Sequence, residues 1–381
     1  MLLGSVLEYV IPATSSAMID LKGLYYPAQC MLHHCDPYNQ RDVAHLYAQS
    51  EGAAQPADTT HLLVATMAVN LPTTFLLVSP LAALSWGPAH ILWMILIAGS
   101  FLLATWLMWR VAAPHAPLQT GALLGLLLAN SILLLEIGNS AGIVVSLCAI
   151  AVWCFIEERF ILAGILCMAV SLAIKPHDGG LVWLYFLLAG GLFRKRALQT
   201  LAADAALALA ALAWLAFMAP HWLHELQANL AAMSGRLGIN DPGPTATRAA
   251  RDANMVIDLQ AAVSIFVNQP AFYNLVAYTV SGILFLVWLF TTLKARRRTP
   301  VAWYALAAIV PLTLLSTYHR PHDAGLLMLT VPACAMLWAS SRRVGKTAFA
   351  INLIAFLVMG TLPLAALMAL PEKLHLDIGT L

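Results

Sequence analysis

The sequence predicts an all-α polytopic membrane protein, and three observations carry that prediction. Of 381 residues, 61% are hydrophobic and only 10% charged, with mean hydropathy +0.80, whereas soluble domains carry nearer ~25% charge. Apolar runs follow one another with only short polar breaks between them. Ten of the twenty Lys and Arg residues sit in three tight clusters between such runs: Arg194–Arg196, Lys294 with Arg296–Arg298, and Arg342-Arg343 with Lys346.

Taken in order, residues 1–18 lack a basic leading segment, and Glu8 and Pro12 interrupt their apolar run. Neither a signal peptide nor a complete span, which needs about 20 apolar residues, is expected there. A polar stretch follows at 18–62. Apolar runs then predict helices over 66–85, 88–110, 119–136, 140–156, 160–174, 178–193 and 198–219. A second polar stretch, 220–271, contains the turn-rich Asn240-Asp241-Pro242-Gly243-Pro244. Its segment His221–Leu237 reads as an amphipathic surface helix with Trp222, Leu223, Leu226 and Leu230 on one side. Helices over 272–293, 301–317, 325–340 and 347–370 complete a bundle of about 10–12 transmembrane helices. No repeat and no separable soluble domain is visible, so 1–381 reads as one unit with two extracytoplasmic loops, 18–62 and 220–271.

Placing the three basic clusters in the cytoplasm satisfies the positive-inside rule. Lys175, the 220–271 loop and Tyr318–Asp323 then fall on the extracytoplasmic face. Strict alternation would put 18–62 on the other side, unless 62–86, punctuated by Pro72 and Pro80, dips in and returns to the same face. Of the six cysteines, Cys148, Cys154, Cys167 and Cys334 lie in apolar runs as packing residues, while Cys30 and Cys35 pair if their loop is extracytoplasmic.

Charges at apolar boundaries are costly and mark function. Asp20, with Lys22, Tyr25 and Tyr26 behind it, is a carboxylate suited to general-base work or, alternatively, a helix cap. Asp36-Pro37-Tyr38 is a turn. Lys175, followed by Pro176, His177 and Asp178, is a phosphate-binding cation or a snorkelling lysine. His319, Arg320, His322 and Asp323 form the densest polar set. Arg320 offers a donor fork for phosphate, or else makes an interfacial pair with Asp323. His319-x-x-His322 lacks a third ligand nearby, so no metal and no cofactor is expected. Glu136, in Glu136-Ile137-Gly138-Asn139, ends an apolar run and joins the candidate binding residues, whereas Asp204 reads as snorkelling or as pairing with the preceding bases and not as catalytic. No phosphate-cradling glycine loop or nucleotide fingerprint is present, and no nucleic-acid partner is expected.

These residues resemble glycosyltransferase family 87 of the polytopic C superfamily. The likeness rests on Asp20 with Tyr25-Tyr26 and Asp36-Pro37-Tyr38, then Asn70-Leu71-Pro72 through Ser79-Pro80-Leu81 to Trp93. It continues with Gly138-Asn139, Ala163-Gly164 and Lys175-Pro176, and ends on Tyr318–Asp323. The blocks cover most of 18–325 in order. The resemblance implies inverting transfer of a sugar, a hexose such as mannose, from a polyprenyl-phosphate carrier to a glycolipid or glycan acceptor at the extracytoplasmic face of a bacterial inner membrane. Asp20 would be the base, and Lys175 and Arg320, with His319, would hold the lipid phosphate. His177, Tyr25, Tyr26 and Glu136 complete the candidate substrate-binding set. A transporter or flippase, or a non-catalytic subunit binding a lipid phosphate, are the competing classes.

Overall fold

Alanine- and leucine-rich runs leave their backbone no partner but itself in lipid, so each folds as helix. The computed structural model describes residues 18–50, 59–236, 238–243, 256–294, 299–316 and 318–358. Among them there is no β-strand. Helices α1 (Ile19–Leu32), α2 (Gln40–Ser50), α3 (Thr59–Thr66) and α4 (Pro72–Ala82) precede the long α5 (Trp86–Ala112). Then come α6 (Pro117–Asn130), α7 (Ile132–Ile137), α8 (Ala141–Ile156), α9 (Ile161–Ile174), α10 (Pro176–Ala189) and α11 (Gly191–Met218). The chain continues through α12 (Trp222–Ser234), α13 (Leu259–Ser264), α14 (Pro270–Lys294) and α15 (Thr299–Ser316). A 3₁₀ segment (Pro321–Thr330) leads into α16 (Val331–Ser340), and α17 (Arg342–Val358) ends the described chain.

Among the described residues, five segments are long and apolar enough to cross a bilayer: α5, α6 with α7, α11, α14, and the 3₁₀ segment with α16. Only 11% of the most apolar stretch of α11 and 17% of that of α14 is buried. Phe217, Leu209, Leu275 and Phe290 stand exposed on these two helices. Apolar faces of this extent are not left to water, and on helices of this length and hydropathy they fit a lipid surround. Within the described residues the apolar runs form these five long segments and four shorter apolar helices, α4, α8, α9 and α15. A 14-residue helix such as α9 reaches only about 21 Å, short of the ~30 Å hydrocarbon core.

Helix α8 is the axis of the core, with every residue from Ala141 to Ile156 buried except Leu147. Helices α9 and α10 make a hairpin whose apex is Lys175, which leaves the helical conformation at φ −140°. The last carbonyls of α9 have no helical donor of their own. The hydroxyls of Thr73 and Thr74, in the first turn of α4, donate to two of them, at Ala173 and Ile174. This fixes the entry of α4 beside Lys175. Helix α4 is 11 residues long, about 16 Å. Leu84, just past its end, accepts a hydrogen bond from Tyr25 Oη at 2.6 Å.

Three expectations change. Part of the stretch 18–62 is a buried helix, not a surface loop: Leu21, Lys22, Tyr25, Tyr26 and Met31 of α1 are each at most 1% exposed. Asp20, Lys22 and Pro27 broke the apolar run that would have revealed it. Helix α12 exists, but Leu223 and Leu230 on the expected face are exposed, and Asn229 and Met233 are its buried contacts. Asn229 Nδ2 donates to the carbonyls of Tyr38 and Ala68, both at 2.9 Å, seating α12 across the first loop. The interval 325–340 begins as 3₁₀ helix at Pro321. The apolar start at 1–17 and the end of the interval 347–370 lie outside the described residues.

Candidate functional site: one cavity beneath the polar loops

In α1, positions 20, 23 and 24 share one face, because three and four residues apart is one helical turn. Asp20, Gly23 and Leu24 line a cavity of about 730 Å³. Tyr25 and Tyr26 fall on the other face and do not line it. Their rings pack edge-on at 5.2 Å, and both contact Trp86. Lys22 lies over the rings of Trp86 and Tyr47 in the same aromatic cluster. The tyrosine pair thus builds the wall behind Asp20.

Asp20 is held from the α7–α8 connection. Gly138 adopts φ +67°, which lets the chain reverse, and its carbonyl accepts Trp93 Nε1–H at 2.8 Å. The next residue, Asn139, donates Nδ2–H to Asp20 Oδ2 at 2.6 Å. Its own Oδ1 accepts Ala141 N–H at 2.8 Å, so the amide cannot rotate freely. Asp20 Oδ1 remains uncommitted among the described residues. Glu136 contributes only its carbonyl, which accepts Met18 N–H at 3.0 Å; its side chain is exposed and does not line the cavity. A Cβ at Gly138 would sit 2.6 Å from Met18 Sδ and 3.0 Å from Leu21 Cβ. Gly138→Ala is therefore expected to cost about 1–2 kcal/mol in the left-handed conformation alone, and to loosen Asn139. A lower melting temperature than the parent checks this; an unchanged one would mean the turn relaxes without strain.

Two cations, Lys175 and Arg320, line the same cavity as Asp20. Lys175 Nζ donates to Asp323 Oδ1 at 2.7 Å, with Lys175 15% and Asp323 1% exposed. Asp323 Oδ2 accepts Arg320 N–H at 2.9 Å, tying the start of the 3₁₀ segment to the hairpin apex. The charged partner of Asp323 is thus Lys175, and Arg320 meets it only through backbone. The Arg320 guanidinium donates Nη2–H to Asn240 Oδ1 at 2.9 Å and Nε–H to Tyr318 Oη. Burial pushes the Tyr318 hydroxyl up, with Arg320 opposing. The turn Asn240-Asp241-Pro242 closes the wall, as do Leu230 and Met233 of α12 and Tyr273 of α14.

Among the remaining candidates, His177 lines the cavity and His319 does not. His319 is fully buried, its Nε2 3.2 Å from Asp178 Oδ1. Asp36 shapes its turn by accepting Tyr38 N–H at 2.9 Å. Burial pushes its carboxyl up against that bond. Cys30 and Cys35 are disulfide-bonded.

The cavity therefore gathers Asp20, Lys175, His177 and Arg320 from three distant parts of the chain. Comparison with family models, curated proteins and solved structures returns no match. Sequence reasoning missed Asn139 as the orienting partner of Asp20, Asp323 as the anchor of Lys175 and Asn229 as the clasp of α12. Asn139 carried a signal, a polar residue after a helix-ending glycine. Nothing local marks Asn229.

Proposed function

We propose that the protein is an inverting glycosyltransferase that moves a sugar from a polyprenyl-phosphate carrier to an acceptor hydroxyl at the extracytoplasmic membrane face. The observation that supports this is one cavity lined both by an oriented carboxylate, Asp20, and by two cations, Lys175 and Arg320. Its volume, about 730 Å³, is in the ~300–1,000 Å³ range of small-molecule sites. Met67, Val69, Leu71, Leu230 and Met233 add an apolar lining suited to the first part of a prenyl chain. The basic residues Arg110 and Arg159 group around a separate pocket with Trp153 and Trp303, and Arg196 donates to Phe155 in the same region. Cationic loops favour the cytoplasmic side, and this supports reading the cavity as extracytoplasmic.

In this reading Asp20 Oδ1 takes the proton of the acceptor hydroxyl as its oxygen bonds to the anomeric carbon. The carbon–oxygen bond to the phosphate breaks from the opposite face, and the configuration inverts. The electron pair stays on the phosphate, whose growing charge Lys175 and Arg320 offset. Fixed cations placed where charge develops lower the barrier without reorganising.

The test is transfer by purified protein in lipid nanodiscs, with a polyprenyl-phosphate sugar as donor and release of free polyprenyl phosphate as readout. Arg320→Ala should weaken donor binding by about 1.5–3 kcal/mol, ~10–100-fold, the worth of a charged hydrogen bond. Arg320→Lys should restore only part, because lysine lacks the fork. Donor affinity unaltered in both variants would remove Arg320 from the phosphate site.

A further inference from the structure

Behind Lys175, the first turn of α10 brings His177 and Asp178 against His319, which precedes the 3₁₀ segment. We propose that His177, Asp178 and His319 form a three-ligand site for a divalent transition metal of zinc type, its open coordination position turned towards the cavity that His177 lines. Three observations carry this. The first is distance: Asp178 Oδ1 lies 3.2 Å from His319 Nε2 and 3.6 Å from His177 Nε2. All three ligand atoms fall within 4.8 Å of one another. Ligand atoms about 2.0–2.2 Å from a tetrahedral zinc stand roughly 3.3–3.5 Å apart, so two edges already match and the third closes with a small turn of a ring.

The second observation is the state of Asp178. Its side chain is 0% exposed, yet neither carboxylate oxygen accepts a hydrogen bond among the described residues. A buried carboxylate is costly unless a charge balances it, and the Lys175 ammonium that acts on this one is itself bonded to Asp323. With ring nitrogens this near, hydrogen bonds to histidine would be the ordinary solution. The His177 nitrogen, at 3.6 Å, lies just beyond hydrogen-bond reach, and the His319 nitrogen, at 3.2 Å, is within reach but makes no hydrogen bond to Asp178; one shared metal would satisfy all three groups. The third observation is the donor set, two imidazoles and one carboxylate, which suits zinc and its first-row neighbours. The site is also braced: Ile257 N–H donates to the His319 carbonyl at 2.9 Å, and His177 and His319 pack edge-on with ring centroids 5.2 Å apart. The sequence expectation of no metal considered His319 with His322. The fold instead supplies the missing ligands from the hairpin apex 142 residues earlier, at His177, and from its neighbour.

The inference does not rest on sugar transfer, and its test contains no sugar donor. Tag-free full-length protein in nanodiscs, stripped with a chelator and offered Zn²⁺, should retain about one zinc per chain after gel filtration, by elemental analysis. Co²⁺ in its place should give the intense visible absorption of a tetrahedral site. His177→Ala, Asp178→Asn and His319→Ala should each weaken zinc by at least ~100-fold, more than loss of an outer-shell partner does. The cobalt spectrum of the parent protein keeps the test decisive if a variant misfolds. The proposal is overturned if the parent retains no zinc, if Co²⁺ stays six-coordinate and weakly coloured, or if a folded Asp178→Asn binds zinc as the parent does.

Discussion

Asp20→Asn is expected to lower the rate of sugar transfer by about 10²–10⁴-fold, the usual worth of a general base, while donor affinity stays at the parent level. The substitution isolates charge from shape. An amide is nearly isosteric with the carboxylate, and its oxygen still accepts the Asn139 Nδ2–H bond that spans 2.6 Å in the parent. What disappears is the basic Oδ1 that would receive the acceptor's proton. Asn139→Ala should follow in the same direction with a smaller loss, because it frees the carboxylate to rotate without removing it. Steady-state release of polyprenyl phosphate, read beside donor binding, distinguishes the competing classes. A subunit that only binds the lipid phosphate would show no turnover in either protein. A transporter would move lipid without cleaving it. Parent-level turnover in Asp20→Asn would rule this carboxylate out as the base.

The all-α membrane fold was legible because it depends on composition and run length, which no tertiary contact can override in lipid. Lys175, Arg320 and Asp20 stood out in the sequence because each is a charge at an apolar boundary, where a charge is costly, and the fold brings all three to the lining of one cavity. Tyr25 and Tyr26 were read towards the substrate because proximity in sequence does not say which face of a helix looks inward. Only the packing of Trp86 and Tyr47 against them decides it. Glu136 shows the reverse problem: a charge ending an apolar run, yet the useful groups in that turn are the Gly138 carbonyl and the Asn139 amide. The grouping of His177 with His319 was hidden because it is made by two chain reversals, at Lys175 and at Arg320. Neither reversal fixes the other until the salt bridge between Lys175 and Asp323 joins them.

That salt bridge carries the second large effect. Asp323→Ala is expected to destabilise the protein by roughly 3–5 kcal/mol, the cost of leaving one partner of a buried pair without the other. Asp323 is 1% and Lys175 15% exposed, so water can relieve little of the abandoned charge. The loss would also release the Arg320 N–H that Asp323 Oδ2 accepts at 2.9 Å, loosening the start of the 3₁₀ segment. Melting in detergent micelles, with limited proteolysis near 318–323, measures both. The double variant Lys175→Met with Asp323→Leu then separates structure from function. Buried pairs replaced together by apolar residues of similar volume are often neutral or stabilising by ~1–4 kcal/mol, so the double variant should melt near the parent temperature. It would nevertheless lack one of the two cations that share the cavity with Asp20, and its donor affinity should stay low. Recovery of stability without recovery of binding would mean that Lys175 is kept for the anion it meets and that Asp323 is kept for Lys175. Recovery of both would make the pair a structural tie alone and leave Arg320 as the cation that holds the phosphate.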